Sequence, residues 1–218
     1  MKKGFLTVII LLIVTWTFTA VMLMLLPDTV PAHYNAAGEV DRFGSKYEQL
    51  ILPAFMTLLA ACFLWVIGKK SIHGEKRSLL KTCIVMQAIL LALFVSFALR
   101  ALLFGNTAIV LPDVWRVTAA VLGVALSLIG LLLGEVPRNR FLGLRTKWSL
   151  SSDVVWKKSQ RFAGVTGVAA GGVMLLVSCL CHGLVAMALT LGVPVLWGIV
   201  GVVASYRYAK EQAEQDGK

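Results

Sequence analysis

The sequence predicts an all-α, polytopic membrane protein: a helical bundle of six transmembrane helices with the N-terminus and C-terminus both cytoplasmic. Three observations carry this reading. Of 218 residues, 58% are hydrophobic and 15% charged, which is too apolar for an ordinary soluble domain. Stretches free of Asp, Glu, Lys and Arg cover residues 4–26, 50–68, 82–99, 117–134 and 162–206. Since roughly 20 apolar residues cross the hydrocarbon core, the last run holds two spans folded at Cys181-His182-Gly183, which makes six. Finally, the polar segments alternate between rich and poor in Lys and Arg. With the N-terminus inside, seventeen of the 21 basic residues fall on the cytoplasmic side, and only Arg42, Lys46, Arg100 and Arg116 fall outside. That is the positive-inside pattern. It also accounts for the net charge of +10 with no direct nucleic-acid partner.

Span one is Gly4 to Leu26. Lys2 and Lys3 precede it as in a secretory leader, but its length and the lack of a small-x-small site before Pro27 predict a retained helix. The outside loop, residues 27–49, follows. Span two is Leu50 to Gly68, with Pro53 in its first turn, where a missing N–H costs little. A short basic loop, Lys69 to Ser78, leads to span three, about Leu79 to Phe104. A small outside loop, Gly105 to Asp113, precedes span four, Val114 to Gly134. The long inside loop, spans five and six, and a polar tail from Arg207 that extends the helix before fraying complete the chain. The order suggests a two-helix unit, 1–78, containing the folded extracellular loop 27–49. A four-helix unit, 79–218, then contains the cytoplasmic loop 135–161.

Polar residues within the spans are sparse. Gln87 fits an interhelical hydrogen bond. Arg100 and Arg116 either snorkel to the interface or form a cationic pair able to meet an acid of the first loop. No carboxylate lies deep in a span, which counts against proton coupling. Gly130-x-x-x-Gly134 and Gly167-x-x-x-Gly171, with Gly198 and Gly201, allow close helix approach, within one bundle or across a dimer. Cys179-x-Cys181-His182 offers three soft ligands at a hairpin, better explained by packing than by a metal. Paired carboxylates, a ligand set and an activated nucleophile are all missing, so neither catalysis nor a cofactor is expected.

In the outside loop, Pro31 predicts extended backbone at Val30. Asn35-Ala-Ala-Gly38 and Asp41-Arg-Phe-Gly44 both read as turns, so the loop should be compact. His33, Asn35, Gly38, Asp41 and Lys46 are its candidate functional residues, with His33 a hydrogen-bonding residue, a titrating group or a ligand. In the inside loop, Pro137 should end span four, and Ser151 or Ser152 should cap a helix with Asp153 in its first turn. That helix would turn Val155, Trp156 and Phe162 to the membrane and Lys157, Lys158 and Arg161 to anionic lipid headgroups. Arg138, Asn139, Arg140 and Arg145 would lie near the inner leaflet, and Trp148 and Trp156 would join the interfacial belt. Two readings stand: an amphipathic cuff pinning spans four and five, or a docking surface for a cytoplasmic partner.

The run from Asn139 to Leu150, Asn-Arg-Phe-Leu-Gly-Leu-Arg-Thr-Lys-Trp-Ser-Leu, and Val155-Trp-Lys-Lys-Ser-Gln-Arg-Phe-Ala-Gly after it resemble the signature loop of the SdpI family. Asn139, Gly143, Arg145, Thr146, Trp148, Leu150, Trp156 and Arg161 match the family pattern; Lys147 stands where the pattern usually has proline. The stretch from Leu26 to Lys46 is similar to the uncharacterised N-terminal domain that often accompanies the family, and the ending Ala204-Ser-Tyr-Arg-Tyr fits too.

The resemblance implies a six-span protein of the bacterial cell membrane that protects against a secreted peptide toxin, the sporulation-delay toxin. It also implies a signalling role, capture of a cytoplasmic transcriptional repressor when toxin is present. The alternative is a small transporter or exporter of a peptide or lipid-like compound.

Overall fold

The computed structural model describes every residue except 1, 70–72, 105–112, 135, 140 and 218, and of residues 73–75 only the backbone. Six helices are long and apolar enough to cross a membrane, and the only other regular structure among the described residues is a two-stranded hairpin and a short 3-10 turn. The small outside loop 105–112, Lys70 of the basic loop, and Arg140 of the signature loop lie outside the described residues. The chain forms two compact units: residues 1–118 with 182–184, and residues 119–181 with 185–218.

In the first unit, α1 (Lys2–Leu25) ends before Pro27, which cannot continue a helix ladder. Strands β1 (Thr29–Tyr34) and β2 (Val40–Ser45) then pair antiparallel, with Val30 opposite Gly44, Tyr34 opposite Val40, and an irregularity around His33. A 3-10 turn (Lys46–Leu50), capped by the Ser45 hydroxyl accepting from the Tyr47 N–H, runs into α2 (Ile51–Lys69). The third helix, α3 (His73–Leu103), begins earlier than expected. Its first turns take in Lys76, Arg77 and Ser78, because no proline stops that segment.

Here α3 packs on both α1 and α2. The Gln87 carboxamide, fully buried, donates to the Met56 carbonyl of α2 at 2.7 Å, and the Trp16 indole N–H of α1 donates to the Thr57 hydroxyl of α2 at 2.9 Å. Such bonds between membrane helices contribute about 0.6 to 2 kcal/mol each. At the hairpin end, Met22 and Leu26 of the α1 exit, Val30 of β1, and Phe94, Ala98 and Ala101 of α3 form a buried cluster, with Phe18 edge-on to Phe94.

In the second unit, α4 (Val114–Leu133) contributes its residues from Ala119 onward. It stops short of Pro137, at Gly134. The fifth helix, α5 (Asp153–Leu180), is capped by Ser152, whose hydroxyl accepts from the Val155 N–H. The sixth, α6 (Gly183–Asp216), contains Pro194, and the helical extension expected at the start of the tail runs on to Asp216.

Two glycine pairs set the α4–α5 contact. A Cβ on Gly130 would stand 2.7 Å from the Gly164 carbonyl oxygen, and one on Gly164 would stand 2.7 Å from that of Gly130. One heptad away, Gly123 and Gly171 face each other's carbonyls at 2.9 and 2.5 Å. The glycines therefore serve packing inside this unit, in a register of seven on both helices, which the x-x-x spacing does not show. A Cβ on Gly134 of the expected motif would meet nothing, so close approach does not require glycine there, and Gly167 faces the Trp197 ring.

Because the opposing atoms at Gly130 are backbone, they cannot move aside. Gly130→Leu is expected to lower unfolding stability in detergent by about 1–3 kcal/mol, the range for overpacking. Gly172→Leu, where a side chain meets open space, should be near neutral in the same denaturation series.

Candidate functional site

The first candidate surface is the hairpin, residues 27–49. Its turn is built by Asn35, whose side-chain oxygen accepts from the Glu39 N–H at 3.0 Å while its NH2 group donates to the Glu39 carboxylate at 3.1 Å. Gly38 supplies the φ of +86° that closes it. His33 Nδ1 meets the Asp41 carboxylate at 2.5 Å. Arg42 reaches both oxygens of Glu48 at 3.1 and 2.9 Å, and that carboxylate raises the guanidinium pKa above its ordinary value. Lys46 pairs with Asp28 at 3.0 Å.

The expected second turn at Asp41–Gly44 is absent, for these residues lie in β2. The glycine serves another need. A Cβ there would press on Ala32 across the hairpin, at 2.9 Å, and on the Glu48 carboxylate.

A two-stranded sheet alone is marginal in water, and three contacts seat this one. Phe43 meets Phe104 edge-on. The Arg100 guanidinium lies over the Tyr34 ring, 5.2 Å from its centre. Burial pushes the Tyr34 hydroxyl above its ordinary pKa, opposed in part by Arg100. Arg100, read from the sequence as either snorkelling or able to meet an acid of this loop, thus lies over an aromatic face. The third contact runs through Asp113. One carboxylate oxygen accepts from the Trp115 N–H, capping α4, and the other accepts from the Gly183 N–H at the start of α6. The hairpin turn lies against the same group: a Cβ on Gly38 would stand 2.8 Å from that carboxylate, and one on Gly183 would stand 3.7 Å from the Ala37 carbonyl. Asp113 was not among the expected site residues. Its position just before a helical run is an N-cap signal.

The second surface is residues 136–161. Up to Ser152 its described residues form no regular structure, and side chains pair with several of their backbone groups. Asn139 uses all its capacity: its oxygen accepts from the Phe141 and Leu142 N–H groups, both at 2.8 Å, and its NH2 donates to the Pro137 and Leu142 carbonyls. Gly143, at φ +111°, then turns the chain toward α5. There the buried Gln160 carboxamide pairs with Leu144 as a neighbouring strand would, accepting from its N–H and donating to its carbonyl, both at 2.9 Å.

Thr146 and Ser149 bond each other's N–H through their hydroxyls, at 2.9 Å each. Ser205 of α6 donates to the Val202 carbonyl, so the 2.8 Å contact between the two hydroxyls has Thr146 donating to Ser205. Leu144 packs on Gly201, and Trp148 meets Tyr206 edge-on. Arg138 bridges the Leu150 carbonyl and Asp153.

This arrangement corrects one expectation. Val155 and Trp156 do not face the membrane; they are 1% and 3% exposed. The Trp156 indole N–H finds the Val136 carbonyl at 2.7 Å, and the missing side chain of Gly143 leaves room for its ring. Both are conditions a lipid-facing site would not supply. Asn139, Gly143, Thr146, Trp148 and Trp156 come together in one cluster, whereas Arg145 and Arg161 lie at its exposed surface. Gln160, Ser149 and Ser205 complete the cluster and were not foreseen. The available signal was spacing, since Gln160 lies one turn beyond Trp156 on the same face. Among the described residues no group of three or more His, Cys, Asp or Glu side chains is placed to share a metal.

Comparison with known proteins matches both surfaces. Residues 135–205 match the SdpI/YfhL protein family, and residues 10–57 match a domain of unknown function, DUF1648. Over 211 residues, 97% of this chain and 98% of the other, the chain is 25% identical to Immunity protein SdpI of Bacillus subtilis. It is also 47% identical over 49 residues, 22% of this chain, to an uncharacterized protein of Archaeoglobus fulgidus, of whose length that stretch covers 27%. No solved structure matches.

The Gln160 pairing gives a direct test of the cluster. Gln160→Leu removes both partners of Leu144 and leaves a backbone N–H and carbonyl without them, at a cost of about 1–3 kcal/mol. Amide hydrogen exchange at 141–150 should accelerate by one to two orders of magnitude, the factor such a cost gives, while α1 and α2 amides keep the wild-type rate.

Proposed function

We propose that this chain, whose residues 135–205 are an SdpI/YfhL segment, is a multi-pass membrane immunity protein that acts without catalysis, binding a secreted antimicrobial peptide at its hairpin. The near-complete alignment with an immunity protein carries the reading. The basic-residue asymmetry of the sequence supports an outer hairpin, an inner signature loop and inner termini. The hairpin offers an amphipathic peptide both kinds of contact: exposed Phe43 and Tyr47 beside His33, Asp41, Arg42 and Glu48.

The signature loop is then the surface for a cytoplasmic partner, a transcriptional repressor in the signalling version of the role. Peptide binding would shift the hairpin turn on Asp113, and so the start of α6, whose later residues Gly201, Ser205 and Tyr206 hold Leu144, Thr146 and Trp148. Such coupling requires two states that differ in peptide affinity. The division into 1–78 and 79–218 is the matching proposal of modules, a receptor unit and a reporting unit.

Expression in a bacterium sensitive to the sporulation-delay toxin tests this. Wild-type protein should raise survival. The double variant H33A/D41A should lower protection about tenfold, as 1.4 kcal/mol of lost binding would, at equal membrane abundance. Arg145→Ala should keep protection and lose repressor recruitment to membranes. Toxin efflux from loaded vesicles, with no binding by the hairpin, would overturn immunity by binding in favour of export.

A further inference from the structure

The first three turns of α5 have two faces. Val155, Trp156, Ser159 and Gln160 are buried in the signature cluster. On the other side Val154, Lys157, Lys158 and Arg161, spaced as one helical stripe, line an open groove of about 470 Å³ closed by the bare backbone of Gly134. That volume lies within the range of small-ligand sites, roughly 300–1,000 Å³. None of the three cations makes an ion pair with any described residue. The adjacent Asp153 is taken by Arg138 at 2.8 Å, so it does not neutralise these cations.

The stripe changes chemistry along the helix. One turn past Arg161 it presents Val165, 66% exposed, and one turn before Gly134 on α4 stands Leu131, 67% exposed. Three cations therefore sit at the edge of a strongly apolar, exposed surface.

We propose that this groove is a binding site for one anionic phospholipid. Lys157, Lys158 and Arg161 would hold the phosphate, and an acyl chain would lie along Val165 and Leu131. Two features favour a lipid over a free phosphate or an acidic peptide: the apolar continuation of the stripe, and the position of the cations at the end of two membrane-spanning helices. The groove shares Arg161 with the signature loop, but the lipid site does not depend on the immunity reading, nor the immunity reading on it.

The test uses the full chain in phosphatidylcholine nanodiscs containing a minor fraction of phosphatidylglycerol. After extraction, lipid retained on the intact protein is measured by mass spectrometry. Wild-type protein should retain phosphatidylglycerol in preference to phosphatidylcholine. Each cation neutralised should lower that retention about fivefold, the effect of one basic residue at an anionic surface, so K157Q/K158Q/R161Q should lose the preference. K147Q/R207Q/K210Q, with the same charge loss elsewhere, should keep it.

Equal loss in both triple variants, or in neither, would overturn the site. So would thermal protection by inorganic phosphate alone matching that of phosphatidylglycerol, which would identify a free phosphate as the ligand. If the groove triple fails to fold, Arg161→Gln alone carries the comparison: unchanged retention overturns the proposal.

Discussion

Unpaired backbone groups are costly wherever water is excluded, and the half-buried stretch from Leu142 to Ser149 that leans on α5 meets this constraint without a helix or a sheet. The Gln160 carboxamide takes the place of a neighbouring strand at Leu144, and Asn139 closes the chain around its own four bonds. The rest of the second unit follows from this. Gln160 has to be buried, so Trp156, one turn earlier on the same face, is buried with it. The chain has to approach α5 closely, so position 143 carries no side chain. Leu144 then reaches Gly201, and Thr146 reaches Ser205. What remains exposed, Arg145, Lys147 and the edge of Trp148, is presented from a fixed backbone and not from a floppy tether.

The first unit solves a related problem with fewer bonds. A hairpin of two strands cannot hold itself, and this one borrows stability from helices. Val30 enters the α1–α3 cluster, Tyr34 lies under Arg100, and the turn rests at Asp113. That carboxylate faces two helix N-termini at once, where partial positive charge and free N–H groups favour an anion. Tying a surface turn to two helix starts makes the turn's position consequential for both helices, which a turn supported only by its own strands would not be.

The spans were legible because the bilayer imposes a length and the charges fall at its edges. A cap at Ser151 or Ser152, which falls at Ser152, and Gln87 as a bridge were legible because each residue type has one ordinary use in its place. The misreadings share a cause, a residue type with two physical roles. Gly44 looks like a turn glycine, yet it is needed because Ala32 and Glu48 crowd its position. Trp156 looks like an interfacial anchor, yet its indole N–H has an inward partner. Gln160, which drew no reading of its own, sits among Lys and Arg, and only its register with Trp156 marks it as buried. The glycine contact of α4 and α5 uses a spacing of seven, so a search for x-x-x spacing finds one member of each pair. The hairpin strands, six residues each, are short and mixed in polarity, and their stability comes from helices far away in sequence.

Lys147 shows how shape and recognition separate in the signature loop. The pattern this loop resembles carries proline there, and a loop without that rigid ring would be expected to have a looser turn before Trp148. The turn is instead closed by the Leu150 N–H to the Thr146 carbonyl, the Ser151 N–H to the Trp148 carbonyl, and the reciprocal Thr146–Ser149 bonds. None of these needs a fixed φ at position 147, so lysine leaves the backbone where it is. What lysine changes is the surface, placing an ammonium 5.0 Å from the Trp148 ring centre, beside Tyr206. A substitution that spares the fold while adding a cation to an exposed aromatic pair acts on whatever that pair meets. The loop's shape and its recognition surface can therefore vary separately.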